Sequence, residues 1–313
     1  MASNERSRTG ATEAQFTEAW RTNRPYLVNL AFGMLSDIGA AEDAVQEAFA
    51  RFNDAAYAHI EDHRAWLIVV TSRICLDQIN SARSRRERAY DTRTIEFAGE
   101  PASLSLPVDP ADRVTLDDEV RTALLVMLER LTPAERVVFV LHDIFQTPFD
   151  RIAQTVGRPA ASCRQLARRA RLKIQQEHSQ VAGAVDLAQH RIVAERFIHA
   201  CSIGDVSALV PILDPDIWGD ADLGPLDLRS GATSRGSTQV SRNLLRWFGP
   251  ETTQVCDPIS DHSEVLAFVE RKLYAVIQLT VEDDFVRRIH VIADPEKLDV
   301  IGSHYPIDAQ QKG

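Results

Sequence analysis

Apolar residues recur along this chain at two different periods. From residue 13 to 88 the period is helical. Phe16, Trp20, Leu27, Leu30, Ala31 and Met34 predict a first helix over about 13–35, with Pro25 expected to kink or split it. Asp37 and Gly39 predict a turn. In "AAEDAVQEAFARF" (40–52), Val45, Phe49 and Phe52 stand at i, i+4 and i+7, so a second helix buries them and leaves Asp43, Gln46, Glu47 and Arg51 on the opposite face. In "HRAWLIVVTSRICLDQINSARSRRER" (63–88), Trp66, Leu67, Val70, Ile74 and Ile79 keep core spacing. Asn80, Ser81, Arg83, Arg85, Arg86 and Arg88 then take over.

The period fails over 89–113, where "FAGEPASLSLPVDPADR" holds three prolines and predicts a linker. Helices resume after Thr115, which has Asp118 three residues on. Thr132-Pro133-Ala134-Glu135 is a capping box with proline at the first helical position, and Thr147-Pro148-Phe149-Asp150 repeats that logic. The helix "FDRIAQTV" is expected to bury Phe149, Ile152, Ala153 and Val156 and to end at Gly157. A further helix begins near Pro159. On it Cys163, Leu166, Ala167, Ala170 and Ile174 share one face; Arg164, Arg168 and Arg171 share another, with Gln165, Arg169 and Lys173 beside them. Two short helices joined at a glycine form a helix-turn-helix signature. Beyond residue 184 the pattern gives two helices around a Gly-Asp step and a helix over 238–248 with Val240, Leu244, Leu245 and Phe248 apolar. The runs "EVLAFVE", "LYAVIQLTVED" and "FVRRIHVIAD" then alternate with period two and predict strands.

Charge sharpens this picture. The 313 residues carry a formal net charge of −10, yet "RPAASCRQLARRARLKI" (158–174) holds six basic residues and no acid. Residues 73–93 hold six arginines against three acids. An acidic chain with basic islands can still bind a polyanion, because the local field steers the ligand. On residues alone, the acidic face of 40–52 suits either solvation or a partner, and the arginines at the end of 63–88 suit either a helix C-terminal dipole or phosphate. Either base edges or phosphates suit the arginines of 158–173. No apolar run reaches the ~20 residues of a membrane span, and the polar start predicts no secretory signal. The four cysteines are far apart and form no CxxC pair, which argues against zinc and a disulfide scaffold and fits a reducing, cytoplasmic setting.

With these segments in order, the chain resembles the extracytoplasmic-function (ECF) sigma factors. Residues 40–52 with 63–85 look like sigma region 2, and "LTPAERVVFVLHDIFQTPFDRIAQTVGRPAASCRQLARRARLKI" (131–174) looks like sigma region 4. The resemblance implies two all-α domains, 12–92 and 114–178, joined by a linker over 93–113. It implies core RNA polymerase, through its β′ and β subunits, and promoter DNA as partners. Asp43, Gln46, Glu47 and Arg51 match the surface that docks on β′. His63, Arg64, Trp66, Asn80, Ser81, Arg83, Arg85 and Arg86 match the part that engages the −10 element. The loop at about 53–64, with Tyr57 and His59 as well, matches the one that captures a flipped base. Arg158, Arg164, Gln165, Arg168, Arg169, Arg171 and Lys173 match the surface that reads the −35 element.

Residues 184–305 resemble the SnoaL-like (NTF2-like) α+β cone that some ECF factors carry. Here the linker has no Trp-Leu-Pro run, and no Gly-Gly-Gly run follows "DIWGDADLG". The expectation is a regulatory, non-catalytic domain with a small ligand in its pocket, and no catalytic residue, metal or cofactor. The competing reading is a DNA-binding module fused to a cyclase or isomerase, for which Asp220, Asp222, His262 and His290 are the acid/base candidates. His290, between Ile289 and Val291, is expected to be structural. A third reading, a one-component duplex-binding factor, lacks a heptad or other dimer seam.

Overall fold

Helix α1 (Ala2–Leu35) runs through Pro25 without a break. The computed structural model describes residues 2–54, 60, 62–91, 131–177, 184–224, 233–257 and 263–302. The expected linker, Thr115, Tyr57, His59, His262 and the side chains of Arg85 and Arg86 lie outside the described residues. The expected split at Pro25 does not occur. A lost backbone bond costs roughly 3 kcal/mol in a helix interior, but Leu27, Val28, Leu30, Ala31 and Phe32 beside it are all fully buried. Their packing outweighs that cost.

Ser36 takes a left-handed conformation, and Asp37 Oδ1 accepts from the Ala40 N–H at 2.9 Å. That carboxylate starts α2 (Ile38–Asp54), so Gly39 lies inside the helix and not in the turn expected of it. Val45, Phe49 and Phe52 are buried as their spacing predicts. Helix α3 (His63–Asp91) buries Leu67 and Ile74 against α1 and α2.

In the second helical unit the first described helix is α4 (Pro133–Phe139), with the expected capping box between Thr132 and Glu135. A π-helical turn follows over Val140–Ile144, which the sequence pattern did not reveal. In α5 (Phe149–Val156) Pro148 occupies the cap position and no side chain caps the helix. Thr147 is buried and its carbonyl faces His142 Nδ1 at 3.2 Å, so it does not repeat the role of Thr132. Gly157 closes α5 at φ +67°, and α6 (Ala160–Glu177) follows with Cys163, Leu166, Ala167 and Ala170 buried.

The C-terminal unit starts with α7 (Ala184–Ile203) and α8 (Val206–Leu209). Strands β1 (Leu213–Asp222) and β2 (Thr233–Arg235), helix α9 (Ser237–Trp247), β3 (Thr253–Cys256), β4 (Ser263–Val269), β5 (Lys272–Glu282), β6 (Phe285–Ile292) and α10 (Pro295–Gly302) complete it. The sheet order is β2-β1-β6-β5-β4-β3, antiparallel except where β1 runs parallel to β6. One face is covered by α7, α8 and α9, which bury Phe197, Leu209, Val240 and Leu244 with Ile217, Val265, Ile277 and Ile289. The other face is not left to water. Val255, Leu266, Phe268, Val276, Ile292 and Ile301 belong to the same continuous apolar core as α1–α3 and α4–α6. All three units therefore share one core, and Phe32 packs on Phe268 with ring centroids 5.9 Å apart.

Candidate polymerase and nucleic-acid interfaces

On α2, burial of Ala41, Ala44, Val45, Ala48 and Phe49 turns Asp43, Gln46, Glu47 and Arg51 outward, and all four are exposed. Glu47 and Arg51 pair along the helix at 2.5 Å. Asp43 is instead held by the C-terminal unit. The β4–β5 hairpin turns on two residues, Glu270 and Arg271, both left-handed without being glycine. From this tight turn Arg271 Nη2 reaches Asp43 Oδ1 at 2.5 Å, and its Nε lies 3.3 Å from Glu42 Oε2. Asp43 first, and Glu42 with it, hold the guanidinium firmly charged. Beside it Arg24 Nη2 and Thr253 Oγ1 donate to Glu42 Oε1 at 2.9 and 2.7 Å. Deeper in the joint the Cys256 N–H donates to Asn29 Oδ1 at 2.8 Å.

The residues expected at the −10 element divide. Asn80, Ser81 and Arg83 are exposed on α3. Trp66 is only partly exposed, tilted against Phe52 at 5.6 Å, and His63 meets the edge of the same ring at 5.1 Å. Both pack at the start of α3. Arg64 lies over the Tyr26 ring at 4.6 Å, and Tyr26 meets Phe145 edge-on at 5.4 Å. Arg191 of α7 covers Phe145 at 4.6 Å and pairs with Glu195 at 3.3 Å. Burial pushes the Glu195 carboxyl above its ordinary range, while Arg191 and Arg64 pull it down. The three units thus meet at Tyr26.

The helix-turn-helix unit also leans on α3. Arg73 donates to the Gln154 carbonyl at 2.6 Å, and Arg151 pairs with Asp62 at 3.3 Å. On α6, Arg164, Gln165, Arg168 and Arg169 are exposed, as is Arg158 before it. Arg168 and Arg169 make no ion pair among the described residues. Arg171 and Lys173 do. Arg171 Nε sits 2.5 Å from Asp143 Oδ1, and Lys173 Nζ 2.6 Å from Glu135 Oε2. Burial would raise the Glu135 carboxyl, but Lys173 and the Thr132 backbone outweigh it and hold it below its usual range. Residues 158–174 hold no acid to suggest this, because the partners stand on the preceding elements.

The acid/base candidates are brought together in part. His290 Nδ1 lies 2.6 Å from Asp220 Oδ2, across the parallel β1–β6 register that no local pattern shows. Arg288 Nη2 takes the other oxygen at 3.2 Å and stacks over Trp218 at 4.2 Å. Asp222 pairs with Lys297 at 2.8 Å. The residues register as Asp220–His290–Gln278–Glu264 across four strands, on the face away from α7 and α9. The helix-covered face is occupied by apolar side chains. A groove of about 340 Å³ lies elsewhere, between Trp20, Arg24 and Val28 of α1 and Ile198, Pro250 and Gln254 of the C-terminal unit.

Comparison with known proteins decides the lineage. The Sigma-70 region 2 family matches residues 19–85, and the Sigma-70 region 4 family matches 121–174. A protein of Mycobacterium tuberculosis named "Probable ECF RNA polymerase sigma factor SigI" is 52% identical over 282 residues, 90% of this chain and 94% of its own. The chain belongs to the ECF RNA polymerase sigma factors. The ECF sigma factor SigJ of the same organism is 37% identical over 231 residues, 72% of each chain. The SigJ crystal structure covers 91% of this chain and 98% of its own at 29% identity, with a TM-score of 0.35. The α2 face and the α6 face thus fall inside the two sigma regions, whereas Arg271, Glu195 and the Asp220–His290 pair lie beyond both. No described helix is long and apolar enough to cross a membrane.

Proposed function

We propose that this sigma factor docks on the polymerase β′ subunit through Asp43, Gln46, Glu47 and Arg51 and engages the β subunit through region 4. It reads the −10 element with α3 and the −35 element with Arg164, Gln165, Arg168 and Arg169 of α6. Its C-terminal unit is non-catalytic and holds it closed until initiation. It works in the cytoplasm with the polymerase.

The observation that carries this reading is the packing of α5 on α3. Elements centred at −35 and −10 are about 85 Å apart at 3.4 Å per base pair. Regions that touch through Arg73–Gln154 and Arg151–Asp62 do not span that distance. The sigma units must separate, and the C-terminal unit braces the closed arrangement from outside: Arg271 covers Asp43, and Arg191 with Glu195 covers the Tyr26–Phe145 contact. The carboxylate–imidazole pair supports a structural role, since Arg288 already neutralises Asp220.

Purified full-length protein and a form ending at residue 178 test this with core RNA polymerase. Binding and run-off transcription by both, tighter for the shorter form, is the expected result. No core binding by either removes the sigma reading. Equal binding by both removes the closed state.

A further inference from the structure

The C-terminal unit is acidic, but not everywhere. Over 186–308 the chain has 20 acids against 11 bases, whereas residues 228–250 hold four arginines and no acid. Helix α9 lies in that stretch. Val240, Ser241 and Leu244 face the core. Thr238, Gln239, Arg242, Asn243 and Arg246 are all exposed and follow one another along the outer stripe of the helix. Arg242 and Arg246 are four residues apart, hence neighbours on one face and about 6 Å apart along the axis.

Neither arginine makes an ion pair among the described residues. Elsewhere in the unit arginines do find acids: Arg287 takes Asp214, Arg288 takes Asp220 and Arg271 takes Asp43. In a domain where carboxylates outnumber cations almost two to one, a helix face that excludes them is selective. Its side chains are arginine, amide and hydroxyl, the set that contacts nucleic-acid phosphates. Between Thr238 and Arg246 the exposed positions are all polar, and Trp247, 48% exposed, ends the stripe with the Arg246 guanidinium 5.8 Å from its ring.

We propose that the outer face of α9 is a third DNA contact, gripping the phosphate backbone of duplex beside the −35 element. Chain connectivity gives the place. Helix α6 ends at Glu177 and α7 begins at Ala184, so the C-terminal unit stays tethered within about 25 Å of the recognition helix even when the molecule opens. The contact is sequence-independent and orients an otherwise acidic unit on DNA. The location rests on the sigma reading; the affinity of the face for duplex does not.

The test uses the full-length chain, alone and with core polymerase, on a fluorescein-labelled 60-base-pair duplex of random sequence. Each phosphate contact adds about 0.9 to the slope of log K against log salt. The double variant Arg242→Gln, Arg246→Gln should lower the slope by about 1.8, a loss of roughly thirtyfold at 0.15 M salt if the lines meet at 1 M. Replacing both by lysine should restore it. A photocrosslinker at position 243 should label the duplex. An unchanged slope, or a crosslink to a polymerase subunit instead of DNA, overturns the proposal, the latter assigning the face to a protein partner. Failure of the sigma reading shows separately, as absence of core binding by the unmodified chain.

Discussion

Arg271→Glu is the substitution that bears most directly on the closed state. Arg271 is joined to Asp43 at 2.5 Å and to Glu42 at 3.3 Å, with its own side chain 43% exposed and those of Asp43 and Glu42 56% and 21% exposed. Pairs this open are screened and contribute about 0.2–1 kcal/mol each. Taking about 0.5 for each, truncation costs about 1 kcal/mol. Reversing the charge replaces both attractions with repulsions of similar size, for about 2 kcal/mol in all. At 1.4 kcal/mol per factor of ten, the closed-to-open ratio falls about thirtyfold. When binding requires the open form, the apparent Kd scales inversely with its population. Core polymerase titrated against labelled full-length protein should therefore bind the variant up to thirtyfold tighter, with the gain shrinking as salt rises and screens the pairs. Lys272→Glu is the control: its side chain is exposed in the same turn and meets no acid among the described residues. Core affinity equal in wild type and Arg271→Glu, or an equal gain from Lys272→Glu, refutes the reasoning.

Other outcomes follow from the same contacts. Glu47→Lys loses only an exposed pair with Arg51, about 0.3–0.5 kcal/mol, so the thermal midpoint should hardly move while core binding in a pull-down weakens; intact binding would take Glu47 out of the docking face. Arg168→Ala should cost about 1–3 kcal/mol of promoter binding if it reads a base, or lower the salt slope by about one if it holds phosphate, whereas Lys173→Met should leave the slope unchanged and lower the stability of region 4. Glu135 has a depressed folded pKa, so its stabilisation is present above its unfolded value near 4.3 and is lost as pH falls through the folded one. Melting curves between pH 3 and 6 should show that loss in wild type and less of it in Glu135→Gln. Phe145→Ala removes the ring that Tyr26 and Arg191 share and should raise proteolytic cleavage between the units.

Local chemistry was legible in the sequence where it repeats at short range. The i, i+4, i+7 spacing of Val45, Phe49 and Phe52 decided which way α2 faces, and so exposed Asp43 and Glu47. The same logic placed Cys163, Leu166 and Ala170 inside and Arg164 and Arg168 outside. The Thr132–Glu135 box lies within four residues and was found; Thr147 was misread because the cap position falls one residue later, on Pro148, and no side chain caps that helix. Contacts over long separations were not legible. Asp43 and Arg271 stand 228 residues apart, and Asp220 and His290 stand 70 apart across a parallel pairing.

The turn at Glu270–Arg271 shows how such a contact is specified. Two-residue hairpins favour φ > 0 at both central positions, usually with asparagine, aspartate or glycine. The β5–β6 turn obeys with Asp283 and Asp284, but the β4–β5 turn places glutamate and arginine there. Left-handed backbone disfavours such side chains, and a glycine would close the hairpin more easily. The arginine is explained by what lies across the joint: two carboxylates of α2 within 3.3 Å. A residue that fits its own turn poorly and its distant partner well is chosen by the closed arrangement of the three units. If Asp43 belongs to the docking face as proposed, that choice makes Arg271, and not the hairpin that carries it, the contact through which opening and polymerase docking compete for Asp43.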